Sequence, residues 1–412
     1  MAAAGGGVGL SIMDLTNLLV LAFSVATLPL VVLFALEIFC SIRTPAPALP
    51  AEAPGFTVIV PAHNEAEVIG ATLDAIVPQL RVNDRLLVVA DNCSDATAQI
   101  AAMHGAIVTA RQDPARRGKG FALAHGVAYA TRWANPVTLI VDADCEMGAG
   151  ALQRLAAEVV RFDRPVQGDY QLTAPRHASL SERFNAFAIR TKNYVRLLGC
   201  TRLGVPCTLT GSGMAFPRTA LEQADLGSGE IVEDLLLAVR LALADQPARF
   251  CPQATIRSPL PSNTASAGGQ RARWEQGKLS VMRRFAGPLL AHGIRRGQTS
   301  LVLLGLDLSI PPLSLLAFLL GGLLFLTLTF AVLGGSQYPL MVVASQIILF
   351  VIAVGVAWSW HGRDLLEASE LLQIPMMIVK KLGFYVRLLR TPQLVWNRTA
   401  REIKDQSPVD SE

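Results

Sequence analysis

The sequence predicts an α/β fold with a mostly parallel sheet and helices on both faces, to which transmembrane and interfacial helices are joined. Three observations predict it. Between Arg43 and about residue 297, short apolar runs alternate with helical stretches in β-α-β-α order, the pattern of parallel strands joined by crossover helices. Hydrophobic residues make up 51% of the 412 and charged residues only 17%, too apolar a balance for an ordinary soluble chain. Finally, residues 15–36 and 308–360 contain no Asp, Glu, Lys or Arg.

Taken in order, "LTNLLVLAFSVATLPLVVLFAL" (15–36) is the first element. About 20 residues at 1.5 Å rise cross a bilayer core. The first basic residue of the chain, Arg43, follows this run directly. A secretory leader needs basic residues ahead of its apolar stretch. The reading is a retained transmembrane helix with its C-terminal side in the cytoplasm and the N-terminus outside.

The strands come next: "FTVIV" (56–60), "RLLVVA" (85–90), "AIVTA" (106–110) and "VTLIV" (137–141), separated by helical stretches. Such sheets bind ligands beyond the carboxyl ends of their strands. There the sequence places "PAHNE", "DNCSD" and "DADCE". Further on, "ERFNAFAIRTKNYVRLLGCTRLG" (182–204) and "LLQIPMMIVKKLGFYVRLLR" (371–390) mix apolar and basic residues. Both suit helices lying in the headgroup plane and equally helices packed on protein. The second uncharged run is too long for one crossing, and "GGSQYP" (334–339) divides it into a helical hairpin, with Pro311 and Pro312 set to kink the first member. Arg295, Arg296, Lys380, Lys381 and Arg387 then fall on the cytoplasmic side with Arg43. The expected division is an anchor (1–45), a cytoplasmic domain (46–297), a transmembrane hairpin (298–362) and an amphipathic cytoplasmic tail (363–412) of an integral inner-membrane protein.

Several functions are disfavoured. A net charge of +4 is too mild to argue for nucleic acid. The six cysteines form no C-x-x-C pair, and the six histidines form no H-x-x-H or HExxH spacing, which argues against a zinc site. "RRGKG" (116–120) lacks P-loop spacing, and no G-x-G-x-x-G opens the first helix.

Asp142 and Asp144 remain, one residue apart at the end of a buried strand. Side chains two apart point the same way, so both carboxylates can converge on one hard cation such as Mg²⁺ or Mn²⁺, completed by substrate phosphates. A solvated turn would also place acids there.

The segments "VIVPAHNE", "ADNCSDAT", "GKGFAL", "VDADCEM", "TGSGMAF", "VEDLLLAVRL" and "QRARWEQG" follow one another in this order over roughly residues 50–300. Together they resemble the membrane-bound family 2 glycosyltransferases, which include cellulose, hyaluronan, chitin and exopolysaccharide synthases and ceramide glucosyltransferases. The resemblance implies a GT-A-type domain on the cytoplasmic membrane face, a UDP-sugar donor and a lipid or glycan acceptor. Polysaccharide or exopolysaccharide synthesis is the implied role, with a single-transfer glycolipid synthase as the alternative and a non-catalytic membrane scaffold that keeps a transferase fold as the alternative of another class. An export or regulatory subunit is left open. Residue by residue, it implies that Pro61, His63, Asn64, Glu65 and Asp91 line the nucleotide pocket and that Lys119 lies near the nucleotide or its diphosphate. Asp142 would contact the nucleotide, and Asp144 would hold the metal. Asp234 would be the general base beside Glu233. Gly211, Ser212 and Gly213 would face the acceptor, and Gln270, Arg273 and Trp274 would close over the diphosphate and acceptor end.

Elementary chemistry agrees with these roles. A departing diphosphate needs positive charge, which a metal and Arg273 supply. The attacking hydroxyl must lose a proton to a carboxylate within reach. One base opposite the leaving group gives a single displacement with inversion. Alone, Asp234 reads as an acid favoured at a helix N-terminus; beside the other motifs it reads as the base. "ASAGGQ" (265–270) is expected to be a flexible loop that closes over the donor.

Overall fold

The computed structural model describes residues 12–43, 52–174, 177–227, 230, 232–260 and 264–385, with side chains described outside residues 12 and 264–271. The expected β-α-β-α series is present: β1 (Phe56–Ala62), α3 (Ile69–Ile76), β2 (Arg85–Asp91), α4 (Thr97–Met103), β3 (Ile107–Arg111), α5 (Lys119–Ala130) and β4 (Val137–Ile140). Ahead of it lie α1 (Ile12–Ala26) and α2 (Leu28–Cys40). After it come β5 (Glu146–Met147), α6 (Ala151–Phe162), β6 (Val166–Thr173), α7 (Leu180–Arg190), α8 (Arg196–Leu203), β7 (Met214–Pro217), α9 (Arg218–Glu222), α10 (Glu233–Leu243) and β8 (Arg249–Pro259). The chain continues with α11 (Thr264–Arg296), α12 (Thr299–Ser309), α13 (Leu313–Val332), α14 (Tyr338–His361) and α15 (Ile374–Lys380).

The strands form one eight-stranded sheet in the order β3-β2-β1-β4-β7-β6-β8-β5. The first four run parallel, and β6 pairs parallel with β8, while β7 and β5 run antiparallel to their neighbours. Alternation along the strands feeds two cores. Phe56, Val58 and Val60 pack with Leu73 of α3 and Leu155 of α6, whereas Ile59, Leu87 and Val89 pack with Leu123 of α5 and Leu237 of α10. Helices therefore cover both faces, as a parallel sheet with near-continuous apolar strands requires.

Among the described residues, three helical segments are long and apolar enough to be candidate membrane spans: Met13–Cys40, Leu313–Val332 and Tyr338–His361. Their outward faces carry exposed Leu18, Phe23, Phe325, Val332, Met341 and Ile352, the surface a lipid-facing bundle presents. The first span is broken between α1 and α2 at Thr27, with Pro29 just inside α2. The break is stitched to α14: Thr27 Oγ1 donates to Gln346 Oε1 at 2.8 Å, and Gln346 Nε2 donates to the Ser24 carbonyl at 2.7 Å. Buried amides and hydroxyls of this kind join helices where lipid offers no partner.

Two expectations are corrected here. Pro311 and Pro312 do not kink one spanning helix. They separate α12 from α13, because proline lacks the N–H that would continue the first helix yet suits the start of the next. "ASAGGQ" is not a loop but the opening of the 33-residue α11, so a closure would have to move or unwind a helix end. The stretch 182–204 forms α7, a π-helical turn (Thr191–Val195) and α8. Its Phe184, Phe187 and Val195 are buried against Phe34, Ile38, Leu316 and Leu366, so it packs on protein where the domain meets the spans. Of 371–390, α15 and the residues through Tyr385 are described, and Lys381 Nζ donates to Asn185 Oδ1 at 3.1 Å. The remainder, residues 386–390, lies outside the described residues.

Arg196 of α8 anchors this junction. Its Nε lies 2.6 Å from Glu37 Oε2 on α2, and its Nη2 pairs with Asp307 of α12. All three side chains are buried. One residue row away, α8 crosses α2 so closely that a Cβ on Gly199 would collide with the Glu37 backbone carbonyl.

Candidate active site

Because β1, β2 and β4 are parallel neighbours, the loops after them open on one edge of the sheet. After β1 and β2 the two loops are bonded together. His63 Nδ1 lies 2.7 Å from the Asp91 carbonyl oxygen, Asn64 Oδ1 accepts from the Ser94 N–H at 2.7 Å, and the Glu65 N–H donates to Thr97 Oγ1 at 2.8 Å. Asn64 adopts a left-handed φ of 55°, a conformation asparagine tolerates better than most residues. Pro61 is half-buried at the end of β1. Asp91 is buried, and Arg111 Nη1 holds its carboxylate at 2.6 Å. Sequence reasoning missed Arg111, although the parallel register of β2 on β3 sets Asp91 directly beside it.

A second group forms where β4 meets the loop before β7. The Asp142 N–H donates to Ser212 Oγ at 3.0 Å, and Ser212 is fully buried. The serine therefore supports the aspartate loop from beneath, whereas an acceptor-facing position was expected of it. Its neighbours Gly211 and Gly213 have φ of 101° and 66°, the left-handed region that glycine alone enters without strain. At Gly213 a Cβ would also overlap Ile256.

Lys119, the first residue of α5, reaches into this group. Its Nζ lies 2.6 Å from the Gly211 carbonyl oxygen, 2.5 Å from Asp142 Oδ1 and 3.8 Å from Glu233 Oε1. Glu233 and Asp234 form the first turn of α10. A Cβ built on Gly211 would stand 3.5 Å from Asp234 Oδ2, 3.8 Å from Lys119 Nζ and 4.0 Å from Asp142 Oδ2. One glycine thus marks the point around which three of the predicted site residues converge.

The charges feel one another. Burial pushes the Asp142 carboxyl up, Lys119 opposes that, and Asp144 and Asp234 add to it. Burial raises Glu233 to about 8, with Lys119 pulling down and Asp234 pushing up. Burial disfavours the Lys119 ammonium, but Asp142, Glu233 and Asp234 outweigh it and raise its pKa. Crowded carboxylates around one buried cation are expected to behave this way.

Ligand atoms of Asp142, Asp144 and Cys145 lie within 4.8 Å of one another. The two carboxylates are hard oxygen donors suited to Mg²⁺ or Mn²⁺. The thiol is not: burial drives the Cys145 pKa well up, and its Sγ sits 3.1 Å from Ser212 Oγ. The donor set fits a hard divalent ion held by Asp144 and Asp142. Tyr170 of β6, absent from the predicted residues, feels Cys145, Asp142 and Asp144 as neighbouring charges. Strand alternation on β6 was the one signal that could have pointed to it.

Arg273 and Trp274 stand on α11, half-buried and exposed respectively. The Gln270 side chain lies outside the described residues.

Residues 54–277 match the family described as "Glycosyltransferase like family 2". An uncharacterized glycosyltransferase of Mycobacterium tuberculosis is 42% identical over 121 residues, covering 29% of this chain and 51% of that protein. A poly-beta-1,6-N-acetyl-D-glucosamine synthase of Staphylococcus aureus is 25% identical over 245 residues, covering 57% of each. The chain thus spans about half the length of the curated relatives it matches. Among solved structures, a mannosyltransferase from Pyrobaculum calidifontis in complex with GDP-Man and Mn²⁺ aligns at 20% identity and a TM-score of 0.49, covering 84% of this chain and 99% of that one.

Proposed function

The chain belongs to glycosyltransferase family 2, and from that premise we propose that it moves a sugar from a nucleotide donor, UDP-linked by preference, to a membrane-associated acceptor with inversion. The observation that supports this reading is the convergence of Asp142, Lys119 and Asp234 around Gly211. It supplies, within one cleft of a GT-A-type domain, a diphosphate end and a base end.

Asp144 and Asp142 would hold Mg²⁺ or Mn²⁺, which supplies charge to the leaving diphosphate. Lys119 supplies a second positive charge at the same place, and the Gly211 backbone lets substrate approach where a side chain would intrude. Pro61, His63, Asn64, Glu65 and Asp91 form the nucleotide wall. Asp234 takes the proton of the attacking hydroxyl. Glu233, raised to about 8 by burial, keeps its proton near neutrality and so does not compete as base. Gln270, Arg273 and Trp274 close the acceptor end from α11. The spans Met13–Cys40, Leu313–Val332 and Tyr338–His361 hold the cleft against the cytoplasmic face of the inner membrane, with the N-terminus outside.

Similarity to a polysaccharide synthase supports a role in polysaccharide assembly. The candidate spans on either side of the domain also suit the second reading, a single transfer to a membrane lipid. Membranes carrying the chain, incubated with Mn²⁺ and a panel of labelled UDP- and GDP-sugars, test the function. Label should pass from one donor into lipid or polymer extracts. Absence of transfer from every donor would contradict the proposal.

A further inference from the structure

Gln167 lies beneath the cleft, on β6. Its side chain is fully buried, and its register partners, Met214 of β7 and Phe250 of β8, belong to the apolar core on that face of the sheet. A primary amide in such surroundings is costly unless both of its ends are bonded. Both are. Gln167 Oε1 accepts from the Thr210 N–H at 2.9 Å, and Gln167 Nε2 donates to the Ser212 carbonyl and to the Gly168 carbonyl, each at 2.9 Å. The register of β6 on β7 ends at the Gln167–Met214 pair. Beyond it the side-chain amide offers the loop a donor and an acceptor, as a strand peptide would offer its neighbour.

The loop groups that the amide grips belong to Thr210 and Ser212, the residues on either side of Gly211. Both neighbours of the amide lead to charged residues of the cleft. The Gly211 carbonyl oxygen receives Lys119 Nζ at 2.6 Å, and Ser212 Oγ receives the Asp142 N–H at 3.0 Å. Gly211, with a φ of 101°, has the conformational freedom to swing its carbonyl unless the chain is fixed before and after it. A bond on one side would anchor the loop. Bonds on both sides set the direction in which the Gly211 carbonyl points.

Resting on the glycosyltransferase reading, we propose that Gln167 is a positioning residue for the diphosphate end of the cleft. By holding Thr210 and Ser212 it aims the Gly211 carbonyl, and through that carbonyl Lys119, at the place where Asp142 and the donor phosphates meet. Gln167 acts through Lys119 and not on the substrate itself.

A double-mutant cycle on the full-length protein in detergent tests this, read by calorimetric titration of UDP in the presence of Mn²⁺. Gln167→Met keeps an unbranched side chain and loses every bond of the amide. It should weaken UDP–Mn²⁺ binding about tenfold where Lys119 is present, and by less than about twofold in Lys119→Met, where no ammonium remains to be aimed. Thermal unfolding in the same buffer shows that the folded chain is being titrated. Gln167→Glu is the conservative variant. Its carboxyl, while protonated, accepts from Thr210 and donates to Ser212 as the amide does; ionised, it only accepts. Burial favours the protonated form, so affinity relative to the wild type should be near one at about pH 6 and fall severalfold by about pH 8.5. That ratio decides where Gln167→Met does not fold. Equal losses with and without Lys119 would overturn the proposal and leave Gln167 a part of the core alone. A Gln167→Glu ratio that does not change with pH would overturn it too. A wild-type chain that binds neither UDP nor GDP with Mn²⁺ would contradict the transferase reading itself, and the proposal with it.

Discussion

Lys119 Nζ sits 2.5 Å from Asp142 Oδ1, in the space where a cation and a diphosphate would meet two aspartates. The lysine pairs with Asp142, one of the two acids that would hold the metal. Donor and metal binding should therefore exchange one cation for another at Asp142, releasing Lys119 toward the phosphates. Lys119→Met is expected to lower the affinity for UDP–Mn²⁺ about tenfold or more, because a charge-assisted contact to phosphate is lost. Calorimetric titration of UDP in the presence of Mn²⁺ reads this directly; unchanged affinity would remove Lys119 from the diphosphate.

The same crowding gives a pH dependence. Glu233 is raised from an ordinary 4.5 to about 8, and Asp142 is raised too. Between about pH 4.5 and 8 the folded state holds protons that the unfolded chain has released, so stability falls as pH rises through that window. The raised pKa of Lys119 contributes nothing there, since it is charged in both states until alkaline pH. Thermal unfolding without donor should show a Tm about 5 °C or more lower at pH 8 than at pH 5, and Glu233→Gln should flatten the slope. An upward slope over this range would contradict the arrangement.

Gly213 combines a φ of 66° with a Cβ position already occupied by Ile256. Gly213→Ala should cost about 1–3 kcal/mol of stability and shift the Ser212 hydroxyl that supports Asp142. The check is unfolding temperature together with UDP–Mn²⁺ affinity. Loss of both is expected; a neutral variant would mean the loop can relax.

Where α8 meets α2 and α12, Arg196 pairs with both Glu37 and Asp307 in a buried cluster. Arg196→Met leaves two buried acids without a cation and should cost about 3–5 kcal/mol, whereas Glu37→Gln, Asp307→Asn and Arg196→Met together should recover most of the loss. Thermal unfolding in detergent compares the two. A triple variant no better than the single one would show that the cluster does more than balance charge.

How much of this was legible in sequence depended on range. Strands β1 to β4 and their crossover helices were readable because each apolar run and its polar terminus are local. The long apolar helices α13 and α14 were readable because a run free of charge needs no partner to be recognised. The Glu37–Arg196 contact joins residues 159 apart, and Arg196–Asp307 joins residues 111 apart. No periodicity announces such pairs, so Arg196 read only as one more basic residue on an amphipathic stretch. Pro311 and Pro312 were visible but ambiguous, since two prolines both end and begin helices. Ser212 shared a motif with two glycines, and nothing local marked its hydroxyl as the one buried beneath the aspartate loop.

The most direct measurement is sugar transfer by Asp234→Asn beside its affinity for UDP and Mn²⁺. Loss of the base with the donor site intact predicts turnover reduced by about 10²–10⁴-fold and nucleotide affinity within about twofold of the wild type. Turnover near the wild-type rate would contradict the account, because the cleft around Gly211 would then have no need of its third aspartate.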